Sequence, residues 1–260
     1  MKNNNLKFFK KDSWHVWYDV SIADSIPSLL LNLSGQHMVE PDMIIKNDNL
    51  KTIFRHQSNI NLIIKHQKYI KLKYLIRANL NKNKKLTVKN EGMLRTEWAN
   101  NLHLQSKGIP IAKPIAFVEK KTAGIITEQA YIAEEIKTIA NIKNYNQSIY
   151  NDNFLQQLAT LSKKMHSLGI YHLDFHPGNI ITNKFGINLI DNESIYQSSK
   201  PNTEILALML GMVITDKKDK VRSEYFWQIC KSTINIDEKY KSIFVSSSCK
   251  KSRKKIKNKY

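Results

Sequence analysis

The hydrophobic positions change period along the chain. Five short runs, DMIIK, KTIFRHQ, INLIIKHQK, KPIAFVEK and EQAYIAEEI, lie between residues 42 and 136, separated by polar turns such as KNDNL and SN. That pattern predicts antiparallel strands. Between the third and fourth runs Leu94, Trp98 and Leu102 recur every four residues, predicting a helix over residues 91–107 that Gly108 and Pro110 stop. Further on, Phe154, Leu155, Leu158, Leu161, Met165 and Leu168 predict an amphipathic helix ending at Gly169, in which Met165 and His166 read as packing and surface residues. Residues 205–214 and 225–229 predict two more helices. The fold class is therefore α+β: a five-stranded antiparallel lobe with one main helix, followed by a mostly helical lobe. The expected divisions are an N-terminal extension (1–41), the small lobe (42–136), the large lobe (137–245) and a basic tail (246–260). In the extension, Trp14, Val16, Trp17 and Val20 suggest a short amphipathic element and residues 26–33 another, neither with an interpretable polar constellation.

One stretch carries chemistry. Residues 171–191 read YHLDFHPGNIITNKFGINLID, with His172, Asp174 and Asn179 at fixed offsets and Asp191 closing an apolar run after a Gly-containing turn. This is the spacing of a phosphoryl-transfer loop and its metal-binding strand. Such a reaction needs a hydroxyl placed in line and phosphate charge neutralised. Asp174 is the candidate base, and the oxygens of Asn179 and Asp191 suit Mg²⁺ beside ATP. Pro177 and Gly178 turn the loop, and a hairpin of residues 180–190 presents Asn179 and Asp191 side by side. His172 reads as a loop-shaping residue, since Asp174 already fills the base position.

Upstream, the third strand ends in Leu62, Ile63, Ile64 and Lys65, which places Lys65 where a phosphate-binding lysine belongs. Glu97 is its candidate ion-pair partner, with Glu91 the rival. The backbone near Glu135 and Ile136 is the expected adenine-binding hinge. The turn at residues 47–49, where a phosphate-covering loop would lie, contains no glycine.

Charge and composition narrow the field. A chain of 260 residues that is 42% hydrophobic can bury a full core, and its net charge of +19 favours an anionic partner. Residues 67–90 hold eight Lys and Arg and no acid. Tyr69, Leu72, Ile76 and Leu80 set an apolar stripe beside that charge, suited either to an anionic membrane surface or to packing on the small lobe. Two distant cysteines, Cys230 and Cys249, indicate neither a disulfide framework nor a zinc site, consistent with a cytoplasmic setting. The start shows no apolar signal segment. The sequence also lacks the interleaved aromatic and basic residues, or any RNA module, that nucleic-acid binding would require.

Residues 62–65, the Arg95-Thr96-Glu97-Trp98 and Gly108-Ile109-Pro110 segments, HLDFHPGNI and LID together resemble the lipopolysaccharide core kinases of the Kdo and heptose kinase type, over roughly residues 42–214. The resemblance implies a two-lobed protein-kinase-like fold. It implies ATP-dependent phosphorylation of a sugar hydroxyl on the lipopolysaccharide inner core, with the enzyme peripheral on the cytoplasmic face of the inner membrane. By position it assigns Lys65 and Glu97 as the ion pair, Asp174 as the base, and Asn179 and Asp191 as metal ligands. The acceptor would be a core glycolipid or another anionic sugar. Two departures stand out: Asp191-Asn192-Glu193 occupies the place of Asp-Phe-Gly, and no Ala-Pro-Glu segment or activation loop follows. The competing readings are a small-molecule phosphotransferase of the aminoglycoside or choline kinase type, an atypical protein kinase, and a non-catalytic basic binding protein or pseudokinase.

Overall fold

The structure is a computed structural model that describes residues 6–20, 44–47, 51–57, 61–80, 94–137, 140–141, 151–214 and 220–247. The chain divides into two compact units: the first takes residues 1–85, 92–102 and 112–135, and the second residues 86–91, 103–111 and 136–260.

The first unit is built on a seven-stranded antiparallel sheet. Its strands are β1 (Leu6–Lys11), β2 (Trp14–Asp19), β3 (Ile44–Asn47), β4 (Lys51–His56), β5 (Leu62–Lys68), β6 (Pro114–Thr122) and β7 (Ile125–Glu134), in the spatial order β1-β2-β6-β7-β5-β4-β3. The last five follow from the apolar runs. The first two correct the division at residue 41, because β1 and β2 form a hairpin whose second strand pairs with β6 and so belongs to the sheet. Val16 faces one side while His15 and Trp17 face the other, which is strand alternation over a segment too short and aromatic to show it in sequence. Asp12, with φ 52°, makes the tight turn between them in a left-handed conformation that Asp tolerates.

Register sorts the residues onto two faces. Val16, Val118, Ala130, Ile132, Ile64 and Phe54 gather in one apolar cluster. The opposite face carries Trp17, Phe117, Tyr131, Lys65 and Ile53 in a single cross-strand row. Against that row packs the helix Leu94–Ser106, through buried Leu94 and Trp98. Trp98 stacks on Phe117, with ring centroids 6.2 Å apart. An earlier helix, α1 (Leu72–Leu80), docks on β7; the Leu94 helix is α2. Among the described side chains of α1 the buried one is Ala78, packed with Tyr74 and Leu75 against Tyr69 and Ile126. Of the expected stripe, Tyr69 is buried while Leu72 and Ile76 are exposed, as is Ile70 before the helix. The Leu80 side chain, together with residues 81–93 and hence Glu91, lies outside the described residues.

In the second unit the helix α3 (Asp152–Ser167) is capped by Asn151, whose Oδ1 accepts from the Phe154 N–H at 2.9 Å. Gly169 ends it at φ +68°, where an added Cβ would stand 2.5 Å from the Ser198 carbonyl oxygen. Strand β9 (Ile170–His172) follows directly. Its partner is β12 (Ile195–Gln197), while β10 (Ile180–Asn183) sits between β11 (Gly186–Leu189) and the short β8 (Ala140–Asn141). Helices α4 (Thr203–Gly211), α5 (Lys220–Ile234) and α6 (Lys241–Ser247) complete the unit. One core joins Leu155, Leu158 and Met165 of α3 to Leu206 and Leu210 of α4, Trp227 of α5 and Phe244 of α6. The run at 205–214 is therefore buried protein core, and no helix among the described residues is long and apolar enough to cross a membrane. Ser246 and Ser247 belong to α6; the basic residues that follow, and Cys249, are outside the described residues. The Cys230 thiol is buried, which pushes its pKa up and keeps it protonated.

Candidate active site

In the first unit the row position of Lys65 aims its side chain toward α2. There Lys65 Nζ meets Glu97 Oε1 at 2.5 Å, with both groups buried. Glu97 Oε2 is also buried and makes no hydrogen bond, but Lys51 Nζ of β4 lies 3.9 Å from it. A second polar group anchors α2 to the sheet: Arg95 forms a two-pronged pair with the fully buried Glu119 of β6, its Nε at 2.8 Å from Oε1. Gln129 Nε2 donates to the same Glu119 Oε1 at 2.8 Å, and the Tyr69 hydroxyl donates to Gln129 Oε1 at 2.6 Å. These bonds satisfy polar groups that would be costly to bury unpaired. Tyr131, between the two clusters, has its phenol pKa raised well above the usual range by burial and then by the Glu97 carboxylate, although Asn101 Nδ2 donates to it at 2.9 Å. Sequence spacing exposed Lys65 and Glu97 but gave no sign of Lys51, Arg95 or Glu119 as their neighbours. Strand register is what brings them together.

Glu135 is engaged. Its carboxylate accepts from Arg55 Nε at 2.8 Å and Nη2 at 2.6 Å, and its backbone N–H donates to the Asn61 carbonyl at 2.8 Å. Its N–H is thus occupied, and a base edge at Glu135 would find the carbonyl instead. Glu134 is exposed. Ile136 falls in the second unit.

In the second unit the loop is held from several sides. The backbone N–H of Asp174 donates to His172 Nδ1 at 3.1 Å. Complete burial pushes the His172 imidazole down to about 4, while Asp174, the Ile190 carbonyl and Asp191 pull the other way without reversing it. His172 is therefore a neutral, loop-shaping residue. Asn179 Nδ2 donates to the Asp174 carbonyl at 2.9 Å and approaches its Oδ2 at 3.4 Å. That turns Asn179 Oδ1 away from Asp174. His176, which the sequence did not single out, caps the Pro177–Asn179 turn by accepting from the Gly178 N–H at 3.0 Å, and its Nε2 stands 3.6 Å from Asp174 Oδ2.

Asp191 is positioned by the backbone. The antiparallel β10–β11 pairing continues past Ile180 and Leu189, since the Ile190 N–H donates to the Asn179 carbonyl at 3.0 Å. The Leu189 N–H donates to the Pro110 carbonyl at 2.9 Å, so the Gly-Ile-Pro segment ties down the strand leading to Asp191. Asp191 itself adopts φ 57° and ψ 45°, a left-handed conformation uncommon outside glycine. Backbone held in such a state is a frequent companion of functional positions. The donor set suits a hard divalent cation: one amide oxygen and one carboxylate, with the remaining positions left to water and phosphate. Among the described residues no cluster of three or more His, Cys, Asp or Glu could form an all-protein metal cage, and a site completed by phosphate needs none.

This combination of an antiparallel sheet with a Lys–Glu pair and a unit presenting Asp, Asn and Asp at these offsets defines a protein-kinase-like phosphotransferase. The fold is shared by two solved structures at low identity. "WaaP in complex with acyl carrier protein" aligns with a TM-score of 0.52 at 12% identity, covering 82% of this chain and 88% of that one. "Amicoumacin kinase hAmiN in complex with AMP-PNP, Ca2+ and Ami" aligns with a TM-score of 0.56 at 10% identity, covering 88% and 84%. No curated protein matches the sequence. The family model for the lipopolysaccharide kinase (Kdo/WaaP) family matches residues 52–196, more than half of the chain, and the protein belongs to that family. It is a kinase.

Proposed function

We propose that this kinase transfers the γ-phosphate of ATP, with Mg²⁺, to a hydroxyl of a Kdo or heptose sugar in the lipopolysaccharide inner core. The observation that carries the reading is the family match over residues 52–196, a span that contains Lys65, Glu97, Asp174, Asn179 and Asp191. Asp174 orients the sugar hydroxyl and accepts its proton, with its backbone fixed by His172 and Asn179. Lys65, held by Glu97, binds phosphate oxygens. Asn179 Oδ1 and the Asp191 carboxylate would hold the cation. When bound, Mg²⁺ would neutralise charge on the transferring phosphate.

The acceptor class is supported by charge. A formal +19 favours a phosphorylated glycolipid in an anionic leaflet and disfavours a cationic acceptor such as an aminoglycoside. The exposed Ile70, Leu72 and Ile76, beside exposed Lys68, Lys71 and Lys73, form a surface suited to anionic headgroups, which supports a peripheral place on the cytoplasmic face of the inner membrane.

The test is phosphate transfer from labelled ATP to purified core glycolipids, with Asp174→Asn as the control. The wild type is expected to label a Kdo- or heptose-containing acceptor, and the variant to fall by roughly 10²- to 10⁴-fold. Labelling of small cationic acceptors in place of core glycolipid would refute the assignment.

A further inference from the structure

We propose that Lys51 is a second phosphate-binding cation of the nucleotide site, contributing charge where the loop ahead of it lacks glycine. The proposal rests on the ATP-dependent reading above. In many nucleotide sites a glycine-rich loop lets backbone N–H groups close on the phosphates. Here residues 45–50 read IKNDNL, without a glycine, which restricts that close approach. The next residue is Lys51.

Register puts Lys51 on the correct face. Lys51 pairs with Gln67 and Ile53 with Lys65 across β4 and β5. Directly opposed residues share a face, so Lys51 is the diagonal neighbour of Lys65, a separation that long side chains span. The contacts bear this out: one Glu97 carboxylate faces both ammonium groups, Lys65 at 2.5 Å from Oε1 and Lys51 at 3.9 Å from Oε2. The two contacts differ in kind. The short one fixes Lys65. The long one exceeds hydrogen-bond range, while the Lys51 side chain is only 16% exposed, so its charge is held near Lys65 by the fold. A phosphate oxygen arriving at Lys65 would meet Lys51 beside it. Two adjacent ammonium groups repel, and a polyphosphate relieves that repulsion more than an uncharged nucleoside can.

The experiment is calorimetric titration of the full chain with MgATP, MgADP and adenosine, for wild type, Lys51→Ala and Lys51→Arg, with thermal melts of each. Lys51→Ala is expected to lose roughly 10-fold or more in MgATP affinity, as for a charge-assisted contact, with unchanged adenosine affinity and an unchanged melt. Lys51→Arg should restore most of the loss. Equal weakening for adenosine and MgATP would overturn the proposal and make Lys51 a structural support for Glu97. Wild-type MgATP affinity in Lys51→Ala would also overturn it, leaving the kinase reading intact. If wild type binds no MgATP at all, the parent reading falls, and this proposal with it.

Discussion

Arg95 and Glu119 join the first turn of α2 to strand β6 through a two-pronged ion pair, two residues before Glu97 meets Lys65. The arginine also lies over the Trp17 and Phe117 rings, so it is held by both charge and packing. Glu97, the ion-pair partner of Lys65, is therefore positioned by a clamp on the same helix.

Arg95→Ala leaves Glu119 buried with only Gln129 and a more distant Lys121 to compensate. Breaking a buried pair from one side costs about 3–5 kcal/mol, reduced here because Arg95 is partly exposed. A loss of about 2–3 kcal/mol in urea unfolding is expected. Glycolipid phosphorylation should fall further than the unfolded fraction explains, because Glu97 loses its frame.

Asp191→Asn and Asp191→Ala separate backbone from chemistry. Asn tolerates the left-handed conformation, so Asp191→Asn should melt near wild type while losing Mg²⁺-dependent nucleotide affinity. Asp191→Ala should lose the same affinity and an additional ~1–2 kcal/mol of stability. Equal melting of the two variants would show that the conformation carries no strain.

Gly211→Ala tests the packing of α4 on α6. Its Cβ would sit 1.8 Å from Ser247 Oγ and 2.1 Å from the Phe244 carbonyl oxygen. Overpacking on this scale costs about 1–3 kcal/mol or more. Adding Ser247→Ala should recover only part of it, because the Phe244 backbone remains in the way. Thermal unfolding of the single and double variants measures both.

Glu128 should contribute to acid sensitivity. His66 Nε2 at 3.1 Å, and then Lys120, hold its carboxyl down to about 2, against an ordinary value of 4.5. The folded state thus favours the ionised form. The resulting stability is fully present above the unfolded value near 4.5 and is lost as pH falls toward 2. Glu128→Gln should cost about 1 kcal/mol at neutral pH and progressively less below pH 4, read from urea curves at several pH values.

The exposed edge of α1 predicts lipid binding. Leu72→Ser with Ile76→Ser should reduce sedimentation with phosphatidylglycerol vesicles severalfold, since each loses most of a buried aliphatic side chain's transfer energy, about 1.5–3 kcal/mol when fully buried. Neutral phosphatidylcholine vesicles should bind neither protein. Equal binding of variant and wild type to anionic vesicles would remove the membrane role of this helix.

Much of the architecture was legible because it rests on periodicity. The strand runs, the α2 and α3 stripes, and the hairpin between Asn179 and Asp191 all follow from apolar spacing and turn residues. The grouping of His172, Asp174 and Asn179 was legible for a different reason: these residues are close in sequence, and their offsets are set by one loop. What escaped was long-range. The β1–β2 hairpin is separated from its partner β6 by some ninety residues of chain and could be seen only through pairing. Lys51, Arg95 and Glu119 gain meaning from register and helix docking, which no local pattern encodes. In α1 the apolar stripe was visible, but its orientation was not: Tyr74, Leu75 and Ala78 outcompete Leu72 and Ile76 for the sheet, helped by Asn79, whose side chain exchanges two hydrogen bonds with the Ile126 backbone.

The connection from Asp191 to α4 is short. A single 3₁₀ turn leads into β12, which pairs back on β9, and residues 198–202 alone connect that strand to α4. Many protein kinases switch on when a long segment at this place is phosphorylated and becomes ordered. Five residues pinned between a paired strand and an Asn202-capped helix have no comparable disordered state to leave. A switch of that kind would have to act elsewhere in this kinase.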